Sequence, residues 1–95
     1  MDFEDVVEVF GVFKKLHTSN VPTDKVIFYR DVGNMHGLLK IVNFDDSVDE
    51  FKLGLISHMS LSSYDGLLIQ YDGLDGRRMY PYRLINIKDI EIKLD

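Results

Sequence analysis

Apolar residues recur at three- and four-residue steps from Phe3 through Val6, Val7, Phe10 and Phe13 to Leu16. That spacing lays one apolar stripe along a helix from Asp2 to about His17. Asp2 is placed to cap its start. Asp5 and Glu8 lie near the positive end of the helix dipole, and Lys14, Lys15 and His17 near the negative end. Gly11 weakens the middle by about 1 kcal/mol relative to alanine. Thr18-Ser-Asn-Val-Pro22 is the stop signal.

The pattern then turns to strands. Lys25 to Asp31 is rich in β-branched and aromatic residues. Val32 to Gly37 reads as a turn, Leu38 to Phe44 as a second strand, and Asp45 to Glu50 as an acidic connection. Phe51 to Leu61 supports two readings. Ser47 and Glu50 fit a capping box, and Val48, Phe51, Leu55 and Met59 fit a helical stripe. Phe51, Leu53 and Leu55 also alternate, as do Met59 and Leu61, which fits a strand bent near Ile56-Ser57. Gly54 and the serines at 57, 60, 62 and 63 favour the strand.

Tyr64-Asp-Gly66 is a turn and Leu67 to Tyr71 a strand. Asp72-Gly-Leu-Asp-Gly76 carries two Asp-Gly pairs, the strongest hairpin signal in the chain. Arg77 to Leu84 is the return strand, and Pro81, which lacks an amide donor, places it at a sheet edge or a bulge. Ile85 to Asp89 reads as a 3₁₀ turn, and Ile90 to Leu94 as the closing strand. Gly37-Leu-Leu echoes Gly66-Leu-Leu, but three residues do not make a repeat. The expected fold is α+β and mainly β: an N-terminal helix over residues 1–20, then a five- to six-stranded antiparallel Sm-like or SH3-like barrel over 25–95. Folding the sheet into a barrel removes exposed edges, and the helix can cover one open end.

Size and charge narrow the function. A chain of 95 residues reads as one domain with a small core, burying about 60–65% of its unfolded surface. It has no cysteine, which excludes disulfides, thiol catalysis and thiolate metal sites and favours a cytoplasmic location. No apolar run approaches the roughly 20 residues of a membrane span, and the acidic start is unlike a secretory signal. Net charge is −5, with ten acids against five bases in residues 1–50 and six of each in 51–95. Phosphate neutralisation drives nucleic-acid affinity, so this balance disfavours broad nucleic-acid binding and leaves room for a local basic patch.

No catalytic, cofactor or metal residue is assigned. His17, His36 and His58 stand far apart, without ligands at metal spacing. Asp45, Asp46, Asp49 and Glu50 lack the alternation and glycine of a calcium loop. The serines form no nucleophile elbow. The candidate interaction patch is Arg77, Arg78, Tyr80, Tyr82 and Arg83, with Lys88 behind it. On a regular strand Arg78, Tyr80 and Tyr82 share one face, and Arg77, Met79 and Arg83 the other. Tyrosines beside arginines suit half-buried positions rimmed by solvated charge, a protein interface, or a stacked base with its phosphate. A second candidate surface is the acidic helix face of Asp2, Glu4, Asp5 and Glu8, which suits solvent, a basic partner or a helix packed across a dimer.

Val26-Ile-Phe-Tyr29 after a helix, Gly54-Leu-Ile56, Leu67-Leu-Ile69, and Tyr80-Pro-Tyr82 leading into Ile85-x-Ile87-x-x-Ile90 together resemble YolD-like proteins, small Sm-like-barrel accessory proteins of bacteria and their mobile elements. The Arg-Gly-Met and tryptophan segment of that family is absent. The C-terminal run is also similar to the last strands of WYL domains, with Gly66-Leu67-Leu68 in place of Trp-Tyr-Leu. Either resemblance implies a non-catalytic bacterial or phage regulator. The expected function is therefore an accessory protein acting through a protein partner or a homodimer, without a membrane. The alternative is a regulator that holds nucleic acid or a nucleotide on the Arg77–Arg83 patch. A DNA-mimicking inhibitor is a third reading, for which −5 is a modest charge.

Overall fold

The computed structural model describes residues 1–17 and 25–95. The described residues are mainly β, with one short helix among them, α1 (Phe3–Val9). The strands are β1 (Lys14–His17), β2 (Val26–Arg30), β3 (Gly37–Asn43), β4 (Val48–Lys52), β5 (Ile56–Ser62), β6 (Gly66–Gly73), β7 (Gly76–Tyr82) and β8 (Ile87–Leu94). They form two antiparallel sheets, one in the order β1-β2-β5-β6-β7 and one in the order β4-β3-β8. The radius of gyration is 12.7 Å, against about 12 Å for a compact chain of this length.

The helix stops earlier than its stripe suggests. Asp2 caps it as expected, accepting a hydrogen bond from the Asp5 amide. A 3₁₀ turn over Phe10–Val12 follows, Phe13 is extended, and Lys14–His17 pairs with β2 instead of continuing the helix. Leu16 lies a helical step from Phe13, yet it also lies opposite Phe28 across the sheet. The sheet wins because β1 gains a hydrogen-bonded ladder along an otherwise bare edge, whereas Gly11 weakens the helix. The stop signal at 18–22 lies outside the described residues.

Three other expectations are corrected. The acidic connection ends at Ser47, because Val48 to Glu50 already belong to β4. The stretch 51–61 is strand, as favoured, but its bend is a 3₁₀ turn over Leu53–Leu55 and not at Ile56-Ser57. The last 3₁₀ turn is Leu84–Asn86, so the closing strand starts at Ile87. The hairpin at Gly73 and Gly76, the edge position of β7 and the alternation in β2 and β6 match the sequence reading.

Three 3₁₀ turns carry the chain from one sheet to the other: Val32–Asn34 between β2 and β3, Leu53–Leu55 between β4 and β5, and Leu84–Asn86 between β7 and β8. Such corners let one strand serve two crossed sheets. The sheets do not close into a hydrogen-bonded cylinder; β4 and β7 each keep one free edge. Between the sheets lies the core, with Leu39 and Ile41 of β3, Met59 and Leu61 of β5, and Leu67 and Ile69 of β6 fully buried. Val6 and Phe10 join it from the N-terminal segment, Phe10 meeting Tyr29 edge-on at 5.3 Å. The Met1 ammonium donates to the Leu84 and Ile87 carbonyls at 2.9 and 2.6 Å, which ties the N-terminus to the last corner.

Gly37 and Gly66, the two echoed glycines, do the same work. Each opens a strand with positive φ, and a Cβ on either would stand 2.2 Å from a carbonyl of the neighbouring strand. Gly11 has open space around it. Gly66→Ala is therefore expected to lower stability by about 2 kcal/mol or more, from the forbidden backbone and the clash together. Gly11→Ala is expected to leave it unchanged or raise it by up to about 1 kcal/mol. Urea unfolding of the two variants checks both; equal effects would contradict this account.

Candidate functional site

The pleat of β7 divides the arginine and tyrosine patch. Strand register places Tyr80 opposite Ile69 and Tyr82 opposite Leu67, both core residues of β6, and Arg78 opposite Tyr71. These side chains share the inner face. Arg77, Met79 and Pro81 alternate with them onto the outer face. Arg77 donates to both carboxylate oxygens of Asp72 at 2.8 and 3.4 Å. That partner, more than its charge, holds the Asp72 carboxyl below the ordinary carboxylate value. Arg78 lies 3.8 Å from Asp75. Arg83 and Lys88 are exposed, and Lys88 pairs with Asp46 at 2.8 Å. The five residues thus form two surfaces, not one.

On the inner face the tyrosines meet Phe51 of β4. Its ring lies 5.2 Å from Tyr71, 5.1 Å from Tyr80 and 6.4 Å from Tyr82, always edge-on. The Tyr82 hydroxyl donates to the Asp49 carboxylate at 2.7 Å, and the Lys52 amide donates to the Tyr71 hydroxyl at 3.0 Å. The cluster spans the gap between the free edges of β4 and β7. Beside it a cleft of about 290 Å³ lies between the hairpin tip and the end of β4. Lys52, Leu55, Tyr71, Arg78 and Tyr80 are among its walls.

Lys52, Leu55 and Tyr71 were absent from the sequence candidates. Tyr71 had a signal, because the Asp-Gly hairpin sets the register that puts it opposite Arg78. Lys52 and Leu55 had none, since they arrive from a distant strand and its corner.

The acids at 45–50 have separate partners. Asp45 holds Ser47, whose hydroxyl is the main cause of its lowered pKa. Asp46 meets Lys88, Asp49 meets Tyr82 and Asn43, and Glu50 meets Lys40. Ser57 donates to the Gln70 carbonyl, and Ser62 accepts from the Tyr64 and Asp65 amides. His58 packs on Phe28 at 5.2 Å. Among the described residues no group of metal-ligating side chains stands close enough to hold a metal ion. No helix among them is long and apolar enough to cross a membrane.

No family model, curated protein or solved structure matches this chain.

The outer face of the five-stranded sheet is the other notable surface. A cross-strand row runs Leu16, Phe28, Ser60, Leu68 and Pro81, with Lys14, Arg30, His58, Gln70 and Met79 in the next. Phe28 and Leu68 sit between buried core neighbours on their strands, so the pleat turns them away from the core. Leu16 is 49% and Met79 58% exposed. Part of this face is hollowed into a depression of about 650 Å³, lined by Leu16, Phe28, Arg30, Asp31 and His58 among others.

Two buried phenols give stability an alkaline limit. Burial pushes Tyr29, whose hydroxyl has no hydrogen-bond partner, from 10.0 up to about 12. Burial first, and then the Asp49 carboxylate, push Tyr82 above the ordinary tyrosine value. A raised folded-state pKa keeps the proton where the unfolded chain ionises. Stability is therefore full below about pH 10 and falls as pH rises toward 12. Urea midpoints are expected to hold from neutral pH to about pH 9.5 and then drop. Tyr82→Phe should reduce that drop and lower stability at neutral pH by about 1–2 kcal/mol through the lost charge-assisted bond. A midpoint flat through pH 11 would contradict the assignment.

Proposed function

We propose that this chain is a non-enzymatic interaction module that binds a protein partner, or a second copy of itself, through the outer face of its five-stranded sheet. The observation that carries this reading is a row on the side away from the core in which four of the five strands place an apolar residue, interrupted by Ser60 of β5. A sheet face without a covering layer normally carries polar residues along its middle. Here Phe28 and Leu68 flank the central Ser60 and Leu16 and Pro81 hold the ends, with charge from Lys14 and Arg30 alongside. A largely apolar stretch of surface beside charged residues suits a protein interface.

The same arrangement argues against this face as a phosphate track. Two of its three cations have acidic neighbours, Lys14 with Asp31 at 3.8 Å and Arg77 with Asp72, which leaves Arg30 as the main positive charge for displacing counterions. For the architecture, we read the two sheets and their three corners as an open form of a small Sm-like or SH3-like barrel. Following pairings and corners leads from β2 to β5, β6 and β7, around the last corner to β8 and β3, and back to β2. The resemblance to YolD-like and WYL proteins accords with a cytoplasmic accessory or regulatory role for a bacterial or phage protein.

The test compares tagged wild-type protein with Phe28→Ser and Met79→Ser in affinity capture from host lysate, with nuclease and at high salt, alongside sedimentation of the purified proteins. Met79→Ser should change stability by less than about 0.5 kcal/mol, because its side chain is exposed. The expected result is a partner, or a self-association, that survives nuclease and salt and is lost in both variants. Recovery that nuclease abolishes, or that the variants leave unchanged, would overturn the assignment.

A further inference from the structure

The cleft at the hairpin tip is independent of the outer face and differs from it in chemistry. Tyr71 and Tyr80 stand at 80° to each other with centroids 6.4 Å apart. Both rest on buried Phe51 and both are only partly buried, so the rings are held in place and still border the cleft. Lys52 and Arg78 bring two positive charges to the cleft and Asp75 one negative charge. In a chain of net charge −5 this is a local cationic site. Leu55 and Leu74 complete the wall.

Each feature restricts the ligand. Two cations repel a cationic guest and outweigh the attraction of the tyrosine faces for it. An open ring face held at a fixed angle suits a second planar ring. A volume of about 290 Å³ is at the lower limit for small-ligand pockets, with room for one ring system and one charged substituent. The Arg78–Asp75 contact is loose, at 3.8 Å between exposed side chains. Such a pair contributes little, and either partner can turn to a better one. Arginine gains a stronger bond from a phosphate, and aspartate accepts from an exocyclic amine such as that of cytosine.

We propose that this cleft binds a nucleoside monophosphate unit, its base stacked on Tyr80 or Tyr71, its phosphate held by Lys52 and Arg78, and an amine of the base donating to Asp75. The unit comes either as a free mononucleotide or as an unstacked nucleotide of a single strand. The site differs from the Arg77–Arg83 patch of the sequence: Arg78 and Tyr80 stay, Lys52 and Tyr71 enter, and Arg77 and Tyr82 are committed to Asp72 and Asp49.

Two of the chain's five tyrosines line the cleft and it has no tryptophan, so tyrosine fluorescence responds to occupancy of this site. Titrations use CMP, AMP, UMP, adenosine, ribose 5-phosphate and a ten-nucleotide single strand. Saturable binding of CMP and AMP is expected, weaker for UMP, which lacks the amine, and weaker again for the two fragments. Arg78→Ala and Tyr80→Leu should each weaken it on the order of tenfold, and Ile85→Ala, an exposed side chain outside both surfaces, should not. Arg78 is exposed, so Arg78→Ala retains the fold and decides the matter should Tyr80→Leu unfold. Binding of the oligonucleotide alone, lost in Arg78→Ala, assigns the unit to a single strand. Absence of saturable binding by every probe at millimolar concentration, or binding that Arg78→Ala leaves intact, overturns the site. Neither result bears on the outer-face interaction, which Arg78 does not touch.

Discussion

Phe51 closes the gap that the backbone leaves open between β4 and β7. β4 and β7 each have a free edge, and no strand ladder joins them. Three tyrosines from β6 and β7 converge edge-on upon this single buried ring, while two of their hydroxyls bond β4 at Lys52 and Asp49. Loss of a buried phenylalanine removes about 3–5 kcal/mol from a domain whose total stability is about 5–15 kcal/mol. The chain has no disulfide with which to compensate, and its ion pairs lie on exposed side chains, where each contributes little. The remaining core packs between sheets already tied at their corners, so the aromatic seam is where the two layers depend on side chains alone.

The seam also makes the cleft. Tyr71 and Tyr80 are packed against Phe51 and only partly buried by it. Arg78 is carried there by the hairpin register, and Lys52 by the strand that holds Phe51. Packing therefore fixes the geometry of the candidate ligand groups before any ligand arrives, which limits the entropy lost on binding. The outer sheet face is built differently. It follows from the pleat, which must send every second residue away from the core, and from a sequence that kept several of those positions apolar.

The legible parts of the fold were local. The Asp-Gly hairpin, the alternation of Leu67, Ile69 and Tyr71, the cap at Asp2 and the edge position marked by Pro81 each rest on residues within one or two turns of each other. The split of Arg77 and Arg78 onto opposite faces was equally readable, because a strand has period two. The errors fell where two local patterns were compatible with the same residues. Leu16 satisfies both a helical step from Phe13 and a strand position opposite Phe28. Val48 satisfies both a polar connection and the start of β4, which pairs it with Val42.

The sequence by itself determined a small, mainly β chain with one N-terminal helix, no cysteine chemistry and a tyrosine–arginine strand near its end. Those properties depend on composition and on spacing along the chain, and the chain carries them in any conformation. Tertiary structure alone decided that Lys14–His17 leaves the helix for an edge of the sheet, that the strands divide into two sheets at three corners, and that Phe51 and Lys52 meet Tyr71, Arg78 and Tyr80. Contacts between residues ten or more positions apart arise from closing loops around a shared core, and no local spacing encodes which distant side chains that closure brings together.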